Sequence, residues 1–307
     1  MKNRTLLTLV TVIGLLSAVF ASGLTPASAA TGDTVLTITA DRGTTSPCKS
    51  TNPAGDHTGV GTGVAFDGTN LILSCWASGE LDFVNPTTGA FVKKLDVSGS
   101  SDLGALAYDG VAKVLWACSS DSDVGSINLT TGVFTSAFTT GCVDGLAYDG
   151  KDGTLWASAD ASTTVTHNTK AGAVLGTFTV DLNGHGNSGL AVGGDLVYLG
   201  NDGGSEIFQS AKDLVSPTVF ITAVKTGNRR VEDLECDNVT FAAQSKAVMW
   251  SQDAYDNILT AYEIPNGSCN YGGGVTTTTT TAAPSTTPTT TAAAKATAVA
   301  ATPVFTG

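Results

Sequence analysis

Charge is scarce in this 307-residue chain: 14% of its residues are Asp, Glu, Lys or Arg, and acids outnumber bases 27 to 15. The net charge of −12 excludes nucleic acid as a partner, because a surface of that sign repels phosphates. Histidine is scarcer still. The three present, His57, His167 and His185, include no His-x-x-x-His pair of the metalloprotease kind. Six cysteines contain no Cys-x-x-Cys spacing, which removes the usual zinc sites. Gly186-Asn-Ser-Gly189 lacks the Gly-x-Ser-x-Gly spacing of a nucleophile elbow. No glycine loop leads into a helix to cradle phosphate, and no stretch reads as helical at all.

Both ends of the chain differ from its middle. Lys2 and Arg4 precede the apolar stretch Leu6 to Phe20, and Ala27-Ser-Ala29 supplies small residues for cleavage, so residues 1–29 read as a secretion signal. The apolar run is short for a bilayer, so no transmembrane anchor is expected in the mature chain. Residues 273–307 are Thr, Ala and Pro almost throughout, too poor in large apolar groups to offset their ordering entropy. They read as a disordered stalk, spacer or solubilising tail. The closing Thr302-Pro-Val-Phe-Thr-Gly307 lacks the Leu-Pro start, apolar helix and basic tail of a wall-anchoring signal. The expected location is extracellular, with cell-wall association as a variant, and the expected state is a monomer. Residues 30–272 remain as one globular domain.

That domain repeats itself. Gly63-Val-Ala-Phe-Asp-Gly68, Ala105-Leu-Ala-Tyr-Asp-Gly110 and Gly145-Leu-Ala-Tyr-Asp-Gly150 each precede an apolar run, then a turn at Thr87-Thr-Gly89, Thr130-Thr-Gly132 or Lys170-Ala-Gly172. The period of roughly forty residues is that of a four-stranded propeller blade. In the third repeat, period-2 alternation predicts strands a to d at Gly145–Asp149, Leu155–Ala157, Val165–His167 and Val174–Val180. Asp-Gly and Thr-Thr-Gly should close the a–b and c–d turns through positive φ. Counting back from the c–d glycine levels Leu73 with Trp116 and Trp156, and Cys75 with Cys118 and Ser158. Such large b-strand side chains should wedge between adjacent blades.

Two weaker repeats follow, Gly189-Leu-Ala-Val with Leu196–Leu199, and Asp233–Asp237 with Ala247–Trp250 and Leu259–Ile264. The fifth lacks a d strand, and the spare segment Val35–Ala40 has the right length and pattern to supply it. The predicted fold is therefore all-β, a propeller of about five four-stranded blades closed by its N-terminal strand. Six blades and a flat solenoid are the alternatives.

The repeated Gly-Leu-Ala-Tyr-Asp-Gly, the Trp-Ala pair and the Thr-Gly turn resemble the NHL, YVTN and gluconolactonase-like propellers over Thr62 to Ile264. The resemblance implies a ligand at the face where b–c and d–a loops emerge, here called the top. On strand order, Asp102, Asp144, His185, Arg229, Arg230, Glu232 and Asp233 fall in or beside d–a loops. Asp121, Asp123, Asp160, Asp202, Asp253 and Asp256 fall near b–c turns, so the top should be an acidic bowl. Thr62, Gly104, Asp144, Ser188 and Glu232 align at one level around the axis, with Asp233 adjacent to Glu232. Gluconolactonase-like relatives hold a divalent metal in such a position, which implies Asp144, Glu232 and Asp233 as ligands and calcium as the ion suited to oxygen. A salt-bridge network with Arg229 and Arg230 is the competing reading.

The same logic sorts the cysteines into bridges, as an exported chain requires. Cys236 and Cys269 fall at the bottom and should pair. Cys48, Cys75, Cys118 and Cys142 fall at the top, where three pairings exist, and Cys48–Cys75 with Cys118–Cys142 close the shortest loops. Function then reads as a secreted binding or interaction module for an extracellular protein, a glycan or a small molecule. An enzyme of the gluconolactonase or streptogramin-lyase type, with His185 and Glu232 as acid or base, is the runner-up. A structural surface-layer or matrix component is the third.

Overall fold

The computed structural model describes residues 31–48, 61–76, 78–119, 122–222, 230–253, 257–265 and 269. The expected signal segment and Thr-rich tail lie outside these residues, as do His57, Asp121, Arg229 and Asp256.

Strand β1 (Thr34–Thr39) opens the described chain. Four complete sheets follow: β2 to β5 (Val64–Phe66, Leu71–Ser74, Glu80–Val84, Phe91–Asp96), β6 to β9 (Leu103–Asp109, Val114–Ser119, Asp123–Ile127, Phe134–Thr139), β10 to β13 (Gly145–Asp149, Thr154–Ser158, Thr164–Thr169, Val174–Thr179) and β14 to β17 (Asn187–Gly193, Leu196–Asn201, Glu206–Ala211, Thr218–Thr222). The fifth sheet combines β18 (Val231–Asp237), β19 (Ala247–Asp253) and β20 (Ile258–Ile264) with β1 at its rim. Each first strand lies against the first strands of the neighbouring sheets, so the a strands line a common axis. The result is a five-bladed β-propeller. β1 pairs antiparallel with β20, Ile38 opposite Leu259 and Thr39 opposite Ile258. The ring thus closes with the N-terminal strand, and the only helical element among the described residues is a 3-10 turn at Ala242–Gln244.

Blades are held together side chain by side chain. The residues opposite the third position of each repeat are Ile72, Trp116, Trp156, Tyr198 and Trp250. Each belongs to a different one of the five buried apolar clusters, and each cluster fills one joint between adjacent blades. Burying one such side chain contributes roughly 1.5–3 kcal/mol. This corrects the predicted levelling in the first blade, where Ile72 rather than Leu73 matches the tryptophans. Likewise Ser74, opposite Gly63, stands level with Cys118 and Ser158, and Cys75 is one residue further on. The path from b to c is one residue longer in the first blade than in the second. The third blade has the longer path too, but recovers the residue in a shorter c–d turn, so counting from the glycine misplaced the first blade alone.

The turns differ in part from expectation. Gly89, Gly132 and Gly172 in the c–d turns all have positive φ, as predicted. Among the repeated Asp-Gly pairs, only Gly68 does; in the second and third blades the left-handed residue is Lys113 or Gly153, because the a–b turn runs on past the pair. The repeated Asp is a turn cap: Oδ1 of Asp67, Asp109 and Asp237 each accept two backbone N–H groups of the following turn. Oδ2 of Asp109 meanwhile meets Lys170 of the next blade at 2.8 Å. The repeat is therefore structural at its acidic position.

Ring closure has a second lock that nothing in the sequence signals. Arg42, just beyond β1, is fully buried and reaches Asp82 Oδ2 at 3.2 Å and the Ser74 carbonyl at 2.9 Å. Ser46 donates to the same carboxylate oxygen at 2.9 Å. Burial, opposed by Arg42, pushes Asp82 up to about 6. Cys48–Cys75, Cys118–Cys142 and Cys236–Cys269 are all bonded, matching the predicted pairs.

Candidate functional site

The five aligned positions at the channel mouth divide by chemistry. Thr62 Oγ1 donates to the Leu103 carbonyl at 3.0 Å, and Ser188 Oγ donates to the Val231 carbonyl at 2.6 Å. A Cβ at Gly104 would fall 2.0 Å from the Val143 carbonyl, so only glycine fits there. These three positions seal joints to the next blade. Asp144 and Glu232 remain, and both turn to a recess of about 260 Å³ over the axis.

The recess is assembled from the first, third and fifth blades: Thr62 and Trp76, Asp144 and Asp160, Arg230 and Glu232. Arg230 organises it. Its Nε lies 2.8 Å from Glu232 Oε2, and its Nη2 donates to Glu232 Oε1 at 3.0 Å. The same Nη2 reaches Asp144 Oδ2 at 3.4 Å, while Nη1 reaches Asp160 Oδ1 at 3.1 Å. Three carboxylates thus share one guanidinium. Burial pushes Glu232 up to about 7, against the pull of Arg230. Asp144 is raised well above the ordinary carboxylate range by burial first, then by Glu232 and Asp160. Proton-holding carboxyl groups beside an ion pair can donate or accept a proton near neutrality, and can receive hydrogen-bond donors from a ligand.

Disulfides fix the walls. Cys48–Cys75 immediately precedes Trp76, and Cys118–Cys142 lies two residues before Asp144. The loops that carry these side chains are thereby tied to the strands beneath, as a preorganised site requires. Cys236–Cys269 lies at the other end of the axis, beside Tyr108, Tyr148 and Gly194.

Asp233 does not join Asp144 and Glu232. It sits one level deeper, where the aligned residues are Gly63, Ala105, Gly145 and Gly189, and their small size leaves the axis open for one carboxylate. A Cβ at Gly189 would lie 3.1 Å from Asp233 Cα. Asp233 Oδ2 accepts the backbone N–H groups of Val64 and Leu106, each at 3.0 Å, bridging the fifth blade to the first and second. Burial holds its carboxyl well above the usual range, partly opposed by these amides. Asp233 is a keystone across the axis. Among the described residues no group of three or more His, Cys, Asp or Glu side chains is disposed to hold a metal ion.

Other predicted site residues lie away from the recess. His185, with 46% of its side chain exposed, is 3.8 Å from Asp202 Oδ1 at the top of the fourth blade. That carboxylate oxygen accepts the Gly186 N–H at 3.0 Å, and the turn owes its shape to Asn183 and Gly184 at positive φ. Asp123 accepts Ser136 and Thr139 hydroxyls at 2.6 and 2.5 Å across its own hairpin, which lowers its pKa. Asp102 accepts the Ser101 hydroxyl in its own loop. His167 stacks on Trp156 with centroids 4.2 Å apart and is a packing residue. Trp76 was missed as a site residue; its signal was an aromatic side chain next to a top-face cysteine in a b–c loop.

No protein-family model matches the chain, and no curated protein sequence matches it. Solved structures do resemble it. Glutaminyl cyclase of Myxococcus xanthus is 14% identical, with a TM-score of 0.52 over 76% of this chain and 97% of that one. Sqt1 of Saccharomyces cerevisiae, 14% identical, covers 64% and 55% with a TM-score of 0.38, and a streptogramin B lyase, 13% identical, covers 69% and 67% with 0.42. At these identities the likeness to the cyclase is one of fold alone. The NHL, YVTN and gluconolactonase resemblance stands at the same level: the chain is a β-propeller, with no narrower family shown.

Proposed function

We propose that this chain is a secreted β-propeller binding module that engages its ligand in the top-face recess. The observation that carries the reading is the gathering of Trp76, Asp144, Asp160, Arg230 and Glu232 from three blades into one disulfide-braced concavity at the axis. Elsewhere the repeated acidic residues cap turns; here Asp144 and Glu232 line a recess. Three disulfides accord with an extracellular site of action. A thermal-shift screen of extracellular solutes and glycans, with and without calcium or EDTA, tests it. Hits should be lost on Trp76→Ala. Hits unaffected by Trp76→Ala and Glu232→Gln would place the ligand elsewhere and sink the reading.

One observation favours a catalytic reading beside it. Glu232, buried and raised to about 7, has the protonation behaviour of a general acid or base. On that reading, hydrolysis of a lactone or ester, or a lyase reaction, disappears in Glu232→Gln while the fold persists.

A further inference from the structure

The recess holds more carboxyl groups than its own residues can keep ionised. Asp144, Asp160 and Glu232 face the single guanidinium of Arg230, and Asp253 adds its field to Glu232. The shortfall shows in the geometry. Glu232 Oε2 and Arg230 Nε lie 2.8 Å apart, yet neither atom makes a hydrogen bond, because the N–H direction misses the oxygen. Glu232 is 2% exposed and lines the recess, so this oxygen has the ion pair with Arg230 Nε but no well-aligned donor. A donor that also brings positive charge satisfies such an oxygen best, since charge-assisted hydrogen bonds are the strong ones.

Trp76 supplies a second, apolar recognition element. Its part-exposed indole borders the same space, next to the Cys48–Cys75 bridge. Among the described residues, Lys93 lies over Phe83 and Lys170 over Tyr148, but no side-chain cation covers Trp76. An indole face beside excess carboxylate is the chemistry that recognises organic cations. A neutral sugar could stack on the indole but would bring no counter-charge to the carboxyl groups. A bare metal ion would need three or more converging ligands, a grouping not found among the described residues.

We infer that the recess binds an ammonium or guanidinium group, borne by an extracellular solute or a peptide side chain, laid on Trp76 and hydrogen-bonded to the carboxylates that Arg230 leaves undersatisfied. This rests on the top-face binding reading and supplies its ligand class. About 260 Å³ accommodates one such group with a short stem, so the rest of a larger ligand lies outside the mouth.

The test titrates the full chain with methylguanidinium and with butylammonium, followed by tryptophan fluorescence and calorimetry near neutral pH. Glucose and calcium chloride serve as comparison probes. Both cations should saturate, and added salt should weaken them because the attraction is partly screened. Trp76→Ala should weaken binding about tenfold or more, whereas Trp76→Phe keeps an aromatic face and most of the affinity. Asp160→Asn, at a carboxylate with 44% of its side chain exposed, should weaken it about threefold without loss of fold. Absence of saturable binding by either cation to the folded chain overturns the inference, as does binding indifferent to Trp76→Ala. If glucose binds instead and Trp76→Ala abolishes it, the ligand class is wrong while the top-face reading stands.

Discussion

Replacing Glu232 by Gln makes the Glu232 side chain permanently neutral and so isolates the cost of ionising it in the folded protein. The group rises from an ordinary 4.5 to about 7 on folding, through burial that Arg230 only partly offsets. A carboxyl raised in the folded state contributes stability that is complete below its unfolded pKa and is lost as pH rises through the folded value. The window is therefore pH 4.5 to about 7. A rise of that size is worth about 3 kcal/mol. Near pH 4 both proteins carry a neutral side chain, and their unfolding free energies should agree closely. By pH 8 the wild type has lost the contribution, and Glu232→Gln should be the more stable by about 3 kcal/mol, or about 6–12 °C in Tm for a domain of this size. Urea unfolding of both proteins at half-unit pH steps measures the difference directly. A difference flat across this range would mean that Glu232 titrates as a free carboxyl. A wild type that gains on the variant as pH rises would mean that the Arg230 pair outweighs burial and that the recess is charge-balanced. Either result refutes the argument that three carboxylates overload one guanidinium.

Asp233→Ala should cost about 2–6 kcal/mol in urea unfolding, because it strands the buried N–H groups of Val64 and Leu106. Asp233→Asn keeps an acceptor and should recover much of that loss; equal losses would show that the charge, not the hydrogen bonding, matters. Arg42→Ala leaves Asp82 buried without its partner and should destabilise by about 3–5 kcal/mol. The double variant Arg42→Ala with Asp82→Ala should be milder than the sum, and strict additivity would argue against the pair as a lock. Peptide mapping under non-reducing conditions should recover Cys236 linked to Cys269 and no free thiol; Cys236 joined to a top-face cysteine would invert the assignment of faces.

The blades were legible because a blade is a local object. Alternation within ten residues sets each strand, a glycine with positive φ sets the c–d turn in each of the first three blades, and the forty-residue period forces neighbours to share their apolar faces. The same periodicity assigned loops to faces, which together with loop length singled out the three disulfide pairs, and the fifth repeat's missing d strand pointed to Val35–Ala40 as the closing strand. It also placed Asp144 and Glu232 together at the mouth. Local periodicity is silent on which way a side chain turns at a shared level. Thr62, Ser188 and Gly104 were aligned with the two acids, yet they seal joints, because the carbonyl of the next blade lies within reach of each. Asp233 looked like a third ligand beside Glu232, but adjacent residues of a strand point to opposite sides, and only the folded ring shows that the small residues around the axis admit its carboxylate. Trp76, Asp160 and Arg230 come from loops 70 to 154 residues apart in sequence, so their convergence needs the ring to close first. Repetition along the chain thus determined the scaffold and its faces. The tertiary structure decided which acids meet an arginine, which meet a backbone amide, and where an indole is left open to a ligand.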